Sequence, residues 1–162
     1  MRTNIPNRIT PKVPIHNSIK QGCPLAPLLF VLIMDELHCN YRKTGGYALT
    51  PTTTVSSRGY CDDTAILAKD LDTLRTMNNQ TFEFFNKHNL HVNVTKTKIT
   101  GIHTDGSALT PDSHTRITWP GTNNVLTIVP PTEPIKYLGA HICMDLNWNK
   151  HISTKFSTQY RH

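Results

Sequence analysis

Arg58 to Ala68 reads RGYCDDTAILA, and it holds the densest local signal in the chain. Two short apolar strands meet at Asp62 and Asp63, so a tight hairpin here would carry both carboxylates at its tip. Adjacent acids in a solvated turn are common and usually carry no function. Held on a fixed platform, the same two groups are hard oxygen donors suited to a divalent cation. The pair alone does not choose between these readings, so its surroundings must.

Upstream, Gln21 to Leu37 reads QGCPLAPLLFVLIMDEL. Leu28, Leu29, Leu32, Ile33 and Leu37 recur at three and four residues, which predicts a helix from Leu25 to Tyr41 with that set as its buried face. Pro24 and Pro27 suit the first turn, where amide donors have no intrahelical acceptor to lose. The first 22 residues, rich in Pro, Asn and Thr, predict loop and a short strand. Gly45 and Gly46 end the helix, and Tyr47 to Ser57 predicts strand and loop leading into the acidic hairpin.

Downstream, Leu71, Leu74, Met77, Phe82 and Phe85 predict a second helix reaching Leu90, with Asp70 or Asp72 as its cap. LHVNVTKTKI, Leu90 to Ile99, alternates Val92, Val94 and Ile99 with polar residues and predicts a strand broken by a turn around Thr95. Residues 101–134 are rich in turn residues and predict an inserted surface hairpin with its tip at Gly121 to Asn124. Ile135 to Ile142 predicts a strand containing Tyr137, Leu138 and Gly139, and LNWNKHISTKF predicts the start of another helix.

At 162 residues the chain suffices for one domain with its own core. Lys and Arg number 17 against 11 Asp and Glu, a net charge of +6, which favours an acidic partner such as nucleic acid. These cations run from Arg2 to Arg161, so only folding can gather them. Cys23, Cys39, Cys61 and Cys143 form no CxxC pair, which argues against a disulfide framework or zinc knuckle and for reduced thiols in an intracellular protein, nucleus or cytoplasm being left open. The apolar run ending at Asp35 and Glu36 is shorter than the roughly 20 residues of a membrane span, so no membrane partner is expected. Asn79 and Asn93 stand in N-x-T sequons, read as chance in a chain showing no secretory leader. None of the nine histidines, His38, His88 and His91 included, has zinc-ligand spacing. Trp119 and Trp148 suit either base stacking or packing.

Four segments in order carry a resemblance: QGCPLAPLLFVLIMDEL, GYCDDTAIL (Gly59 to Leu67), LHVNVTKTKI and IKYLGAHICMDLNWNKHI (Ile135 to Ile152). Together they resemble the later motifs of reverse transcriptases of non-long-terminal-repeat retrotransposons and group II introns. The resemblance implies an α+β fold: a partial polymerase palm of antiparallel sheet with two helices on one face, plus the inserted hairpin, over residues 1–145. Residues 146–162 would begin a thumb. It implies RNA-directed DNA synthesis, with RNA template, DNA primer and dNTP as partners and Mg2+ as cofactor.

By the same resemblance Asp62 is a magnesium ligand and Asp63 its less directly bound neighbour, with Tyr60 and Cys61 bracing the turn. Gln21, Gly22 and Pro24 line the template and nucleotide, against a plain reading as a helix-start turn. The resemblance gives Ala26 no role, since family members often carry Ser there. Lys96 either protonates the leaving pyrophosphate or holds phosphate charge, with Lys98 a competing candidate and a solvated strand lysine the plain reading. Tyr137, Leu138 and Gly139 resemble the primer grip, a role compatible with ordinary packing.

The resemblance also implies something this sequence does not supply. The family's first catalytic aspartate stands on a strand several tens of residues before the position of Gln21, whereas here no Asp or Glu precedes Asp35. The expectation is a fragment inactive alone, with weak or no magnesium binding, whose missing aspartate comes from a longer chain or a second one. Its alternative is a basic nucleic-acid-binding or interaction remnant of a retrotransposon. A reading-frame fragment without selected function is the third.

Overall fold

The computed structural model describes residues 4, 5, 8, 9, 24–112, 114–146, 148, 149, 152 and 153. β1 (Asn4–Ile5) and β2 (Arg8–Ile9) pair antiparallel. The first helix, α1, spans Ala26–Thr44 with proline in its first turn, and Arg42 and Lys43 complement the negative end of its dipole. It stops at Gly45, whose φ of 110° suits only glycine and whose N–H donates to the Tyr41 carbonyl.

The second helix, α2 (Leu71–Lys87), is bounded at both ends by side-chain and backbone chemistry. Asp70 is the cap, its carboxylate accepting from the Thr73 N–H at 2.7 Å. At the far end Asn89 takes φ 52°, and the Leu90 N–H donates to the Phe85 carbonyl at 2.8 Å. That bond and the Asn89 to Asn86 bond form a Schellman closure, with Leu90 and Phe85 both packed against the core.

The helices run antiparallel: Thr44 meets Gln80, Tyr41 meets Thr81, and Glu36 meets Lys87. Between them lie Met34, Leu37, Tyr41, Met77 and Phe84, with Phe30, Ile66 and Ala68 packed alongside. Each such apolar side chain contributes roughly 1.5–3 kcal/mol on burial. The buried stripe of α1 is therefore Ala26, Met34, Leu37 and Tyr41, and the face expected from the leucine spacing is corrected. Leu28, Leu29, Leu32 and Ile33 are all exposed. The N-terminal half of α1 is apolar around most of its circumference, so periodicity cannot say which side a neighbour covers. The α2 contacts fall on the other side.

The strands pair in twos among the described residues, so the single expected antiparallel sheet is not seen there. β3 (Tyr47–Thr50) and β4 (Thr53–Val55) form one antiparallel pair, β5 (Ser57–Tyr60) and β6 (Asp63–Ile66) another. β7 (Lys98–Ile99) pairs parallel with β8 (Thr127–Ile128), as the long connection between them permits. β9 (Ile135–Tyr137) and β10 (Ala140–Ile142) close a last hairpin. Of the strand expected over Leu90 to Ile99, the turn around Thr95 and the end at Lys98–Ile99 are present, but Val92 and Val94 lie in no strand, because Asn93 accepts the N–H groups of Lys96 and Thr97.

The region expected as a surface hairpin is docked. Its tip stands where anticipated, with Trp119 N–H to Asn124 O at 2.8 Å and a bridge from Thr118 to Val125. Yet Leu109, Ile117 and Leu126 join Ile99 in a second buried cluster, against which Leu71 and Leu74 of α2 pack. Asn78 donates to the Thr118 carbonyl at 3.1 Å, Arg75 to that of His114, and Trp119 stacks edgewise on Phe82. Thus α2 is shared by two cores. Trp119 is a packing residue here.

Candidate functional site

The acidic stretch folds as a two-residue hairpin. Register pairs Ser57 with Ile66, Arg58 with Ala65, Gly59 with Thr64 and Tyr60 with Asp63. The turn residues are consequently Cys61 and Asp62, one position earlier than a tip at both aspartates, and Asp63 begins β6. Cys61 takes φ 52°. Glycine normally fills that first turn position, and a side chain there costs about 1–2 kcal/mol. Cys61 and Tyr60 are both exposed, so bracing does not come from their packing. The hairpin is anchored at its base, where the Leu67 N–H donates to the Ser56 carbonyl at 2.8 Å and His38 Nδ1 bonds the Ser57 hydroxyl at 2.7 Å.

Asp62 and Asp63 are exposed, and the ion pairs among the described residues lie elsewhere. Their oxygens are the donor type magnesium prefers. No third His, Cys, Asp or Glu joins them to make a metal-binding group among the described residues. Asp35, the first acid of the chain, faces Arg42 at 3.6 Å on its own helix. Beside the acids, the Thr64 hydroxyl is buried without a hydrogen-bond partner, and among the described residues no strand pairs with the outer edge of β6.

The remaining predicted positions are dispersed. Gln21 and Gly22 lie outside the described residues, and Pro24 is an exposed turn residue before α1. Lys96 is exposed in the turn closed by Asn93, and Lys98 is exposed on β7. Neither has an ion-pair or side-chain hydrogen-bond link to the acidic hairpin among the described residues. Tyr137 ends β9, while Leu138 (φ 49°) and Gly139 (φ 79°) form the turn to β10. Two consecutive positive φ angles are the signature of a type I′ turn, where Asn-Gly is the favoured pair. Leu138 is exposed as well as strained. Of the segment 146–162, only Leu146, Trp148, Asn149, Ile152 and Ser153 are described, so the expected thumb start lies mostly outside.

Sequence reasoning gave His38 no role at the hairpin. Burial pushes its imidazole below the ordinary histidine value, with Asp35 opposing and Arg42 adding to the shift, so the ring in contact with Ser57 is neutral near pH 7. Nothing local in sequence signals a contact across 19 residues. Two residues before His38 on α1, Glu36 is held below the usual carboxylate range chiefly by its hydrogen bond from Lys87. His88 Nε2 lies 3.5 Å from Glu36 Oε2. The Tyr41 phenol is pushed up to about 12 by burial. Among the described residues no helix is long and apolar enough to cross a membrane.

Residues 4–142 match the reverse transcriptase (RNA-dependent DNA polymerase) family, and the chain belongs to it. Within that family it is similar to two proteins of Popillia japonica, each a retrovirus-related Pol polyprotein from type-1 retrotransposable element R2. One is 27% identical over 135 residues, covering 83% of this chain and 19% of the polyprotein. The other is 37% identical over 67 residues, covering 40% of this chain and 11% of the polyprotein. The chain thus spans less than a fifth of the relatives it matches.

Proposed function

We propose that this chain is the palm portion of a reverse transcriptase from a retrotransposon without long terminal repeats, and that Asp62 and Asp63 supply carboxylates to its magnesium site. The observation that carries the reading is the two-residue hairpin. It presents adjacent, solvent-facing carboxylates at a fixed turn in a chain of this family. Asp62 and Asp63 would hold magnesium, which would supply charge stabilisation to the attacking 3′ oxygen and the departing pyrophosphate.

The chain's own residues supply position and charge, on which such chemistry depends more than on a protein nucleophile. Lys96, or Lys98 in its place, holds phosphate charge or donates the proton to pyrophosphate. Gln21, Gly22 and Pro24 line template and nucleotide. Tyr137, Leu138 and Gly139 support the primer end, and the strain at exposed Leu138 supports a role beyond packing.

Two carboxylates hold magnesium weakly, because the ion keeps its waters unless several fixed oxygens displace them. A further aspartate therefore arrives on a strand from a longer polypeptide or a second chain. Among the described residues the outer edge of β6 pairs with no strand and the Thr64 hydroxyl is unsatisfied, which favours that edge as its place. Primer extension on an RNA template with dNTPs and magnesium tests the reading. The 162-residue chain should incorporate nothing, a longer polypeptide carrying the additional acidic strand should extend the primer, and Asp62→Asn should abolish that extension. Full activity of the Asp62→Asn polypeptide would refute the assignment.

A further inference from the structure

We propose that His38 is the positioning residue of the acidic hairpin, a clamp that ties strand β5 to helix α1 and so sets where Asp62 and Asp63 stand. This inference rests on the reading of those aspartates as the catalytic pair.

Two contacts define the clamp. His38 Nδ1 lies 2.7 Å from the Ser57 hydroxyl, itself buried. The opposite side of the ring lies against Gly59, where an added Cβ would meet His38 Nε2 at 2.7 Å and Cε1 at 3.2 Å. Ser57 and Gly59 are alternate residues of one strand, so both can face α1. One imidazole thus meets the strand by a hydrogen bond at one position and by close packing at the other. Asp62 follows Gly59 by three residues, near enough for a shift at Gly59 to reach the turn.

The surroundings make this clamp matter. Next to it lies a cavity of about 220 Å³, lined by Asp35, His38, Arg42, Arg58 and Gly59 among others, so the underside of the hairpin is not packed solid. Tyr60 and Cys61 are exposed and give the turn no packing support. Position is therefore carried by the ladder, by Ile66 of β6 packed on the helix core and, on β5, by His38. With its pKa lowered by burial, the ring stays neutral, and Nδ1 meets the Ser57 hydroxyl as N–H donor or as lone-pair acceptor according to the tautomer. Gly59 has a size reason for being glycine, since a methyl group there would push the ring and break its bond to Ser57.

Size and hydrogen bonding make separable predictions. Asparagine places an amide near the Nδ1 position but leaves the Nε2 space empty. In the 162-residue chain, backbone order of Tyr60 to Asp63, read by 15N relaxation and amide exchange, should be kept in His38→Asn and lost in His38→Leu, with exchange at least about tenfold faster. Gly59→Ala should disorder the turn in the wild-type background and be tolerated when combined with His38→Asn. Thermal unfolding followed by helix signal should stay two-state in every variant, which separates local loosening from failure to fold. Equal turn order in wild type and His38→Leu would overturn the clamp, and so would a Gly59→Ala effect that persists beside His38→Asn. Neither readout depends on catalysis, so failure of the polymerase reading appears separately, as extension unaffected by Asp62→Asn.

Discussion

Cys61 and Leu138 hold positive φ angles without being glycine, each at the turn of a hairpin assigned to the site. Such residues cost about 1–2 kcal/mol each and persist where something else requires them. Replacing Leu138 by Asn supplies the residue a type I′ turn favours. Leu138→Asn is expected to stabilise the chain by up to about 1 kcal/mol, measured by urea unfolding. In an active longer polypeptide it should slow primer extension, because the apolar contact is gone. A gain in both stability and extension would remove the primer-grip role. Cys61→Val should move stability the other way, by about 1–2 kcal/mol, since β-branching at positive φ is least tolerated. Neither strain is visible in the sequence, where GYCDD, with no glycine at the turn positions Cys61 and Asp62, predicts a turn but not the φ of its first residue.

At the scale of elements, what was legible depended on how local the determining physics is. The extent of helix α2 was readable because its start is a side chain three residues from the N–H that donates to it and its apolar residues recur at helical spacing. Asp70 and the Leu71, Leu74 and Met77 spacing carry both facts. For α1 the extent was readable and the buried face was not, because Leu28 and Leu32 compete equally with Met34 and Tyr41 until α2 is in place. Segment 101–134 was misjudged as surface because turn residues report backbone shape, whereas burial of Ile117 and Leu126 depends on distant Leu71 and Leu74. Ile117 is 2% exposed, so Ile117→Ala should cost roughly 2–5 kcal/mol, where a surface hairpin would lose almost nothing. Calorimetry of the variant decides this. The Asp70 carboxyl is held below its ordinary value by the Thr73 hydrogen bonds, so its contribution is present above the unfolded value of 3.8 and lost as pH falls through the lower folded value. Asp70→Ala should lower the melting temperature at neutral pH, with the difference from wild type shrinking in acid and Asp70→Ser restoring most of it.

For the whole molecule, the exposed half of α1 is the feature most out of keeping with an independent domain. Leu25 at the cap and Leu28, Leu29, Val31, Leu32 and Ile33 within the helix are all exposed, and clustered exposed apolar side chains mark an interaction surface. The polyproteins it resembles are more than five times the matched length, and in them the matched segment has adjoining polypeptide beside it. The two settings therefore predict opposite effects for one double substitution. In the 162-residue chain Leu28 and Leu32 are 56% and 61% exposed, so Leu28→Lys with Leu32→Lys should change unfolding free energy by less than about 0.5 kcal/mol per site and raise solubility. In a longer polypeptide that covers α1, the same pair buries two ammonium groups in apolar surroundings, which costs several kcal/mol. Urea unfolding of both lengths, each with and without the pair, gives the comparison. Equal small effects at both lengths would mean that α1 stays uncovered, and the patch would then have to serve a partner outside the chain.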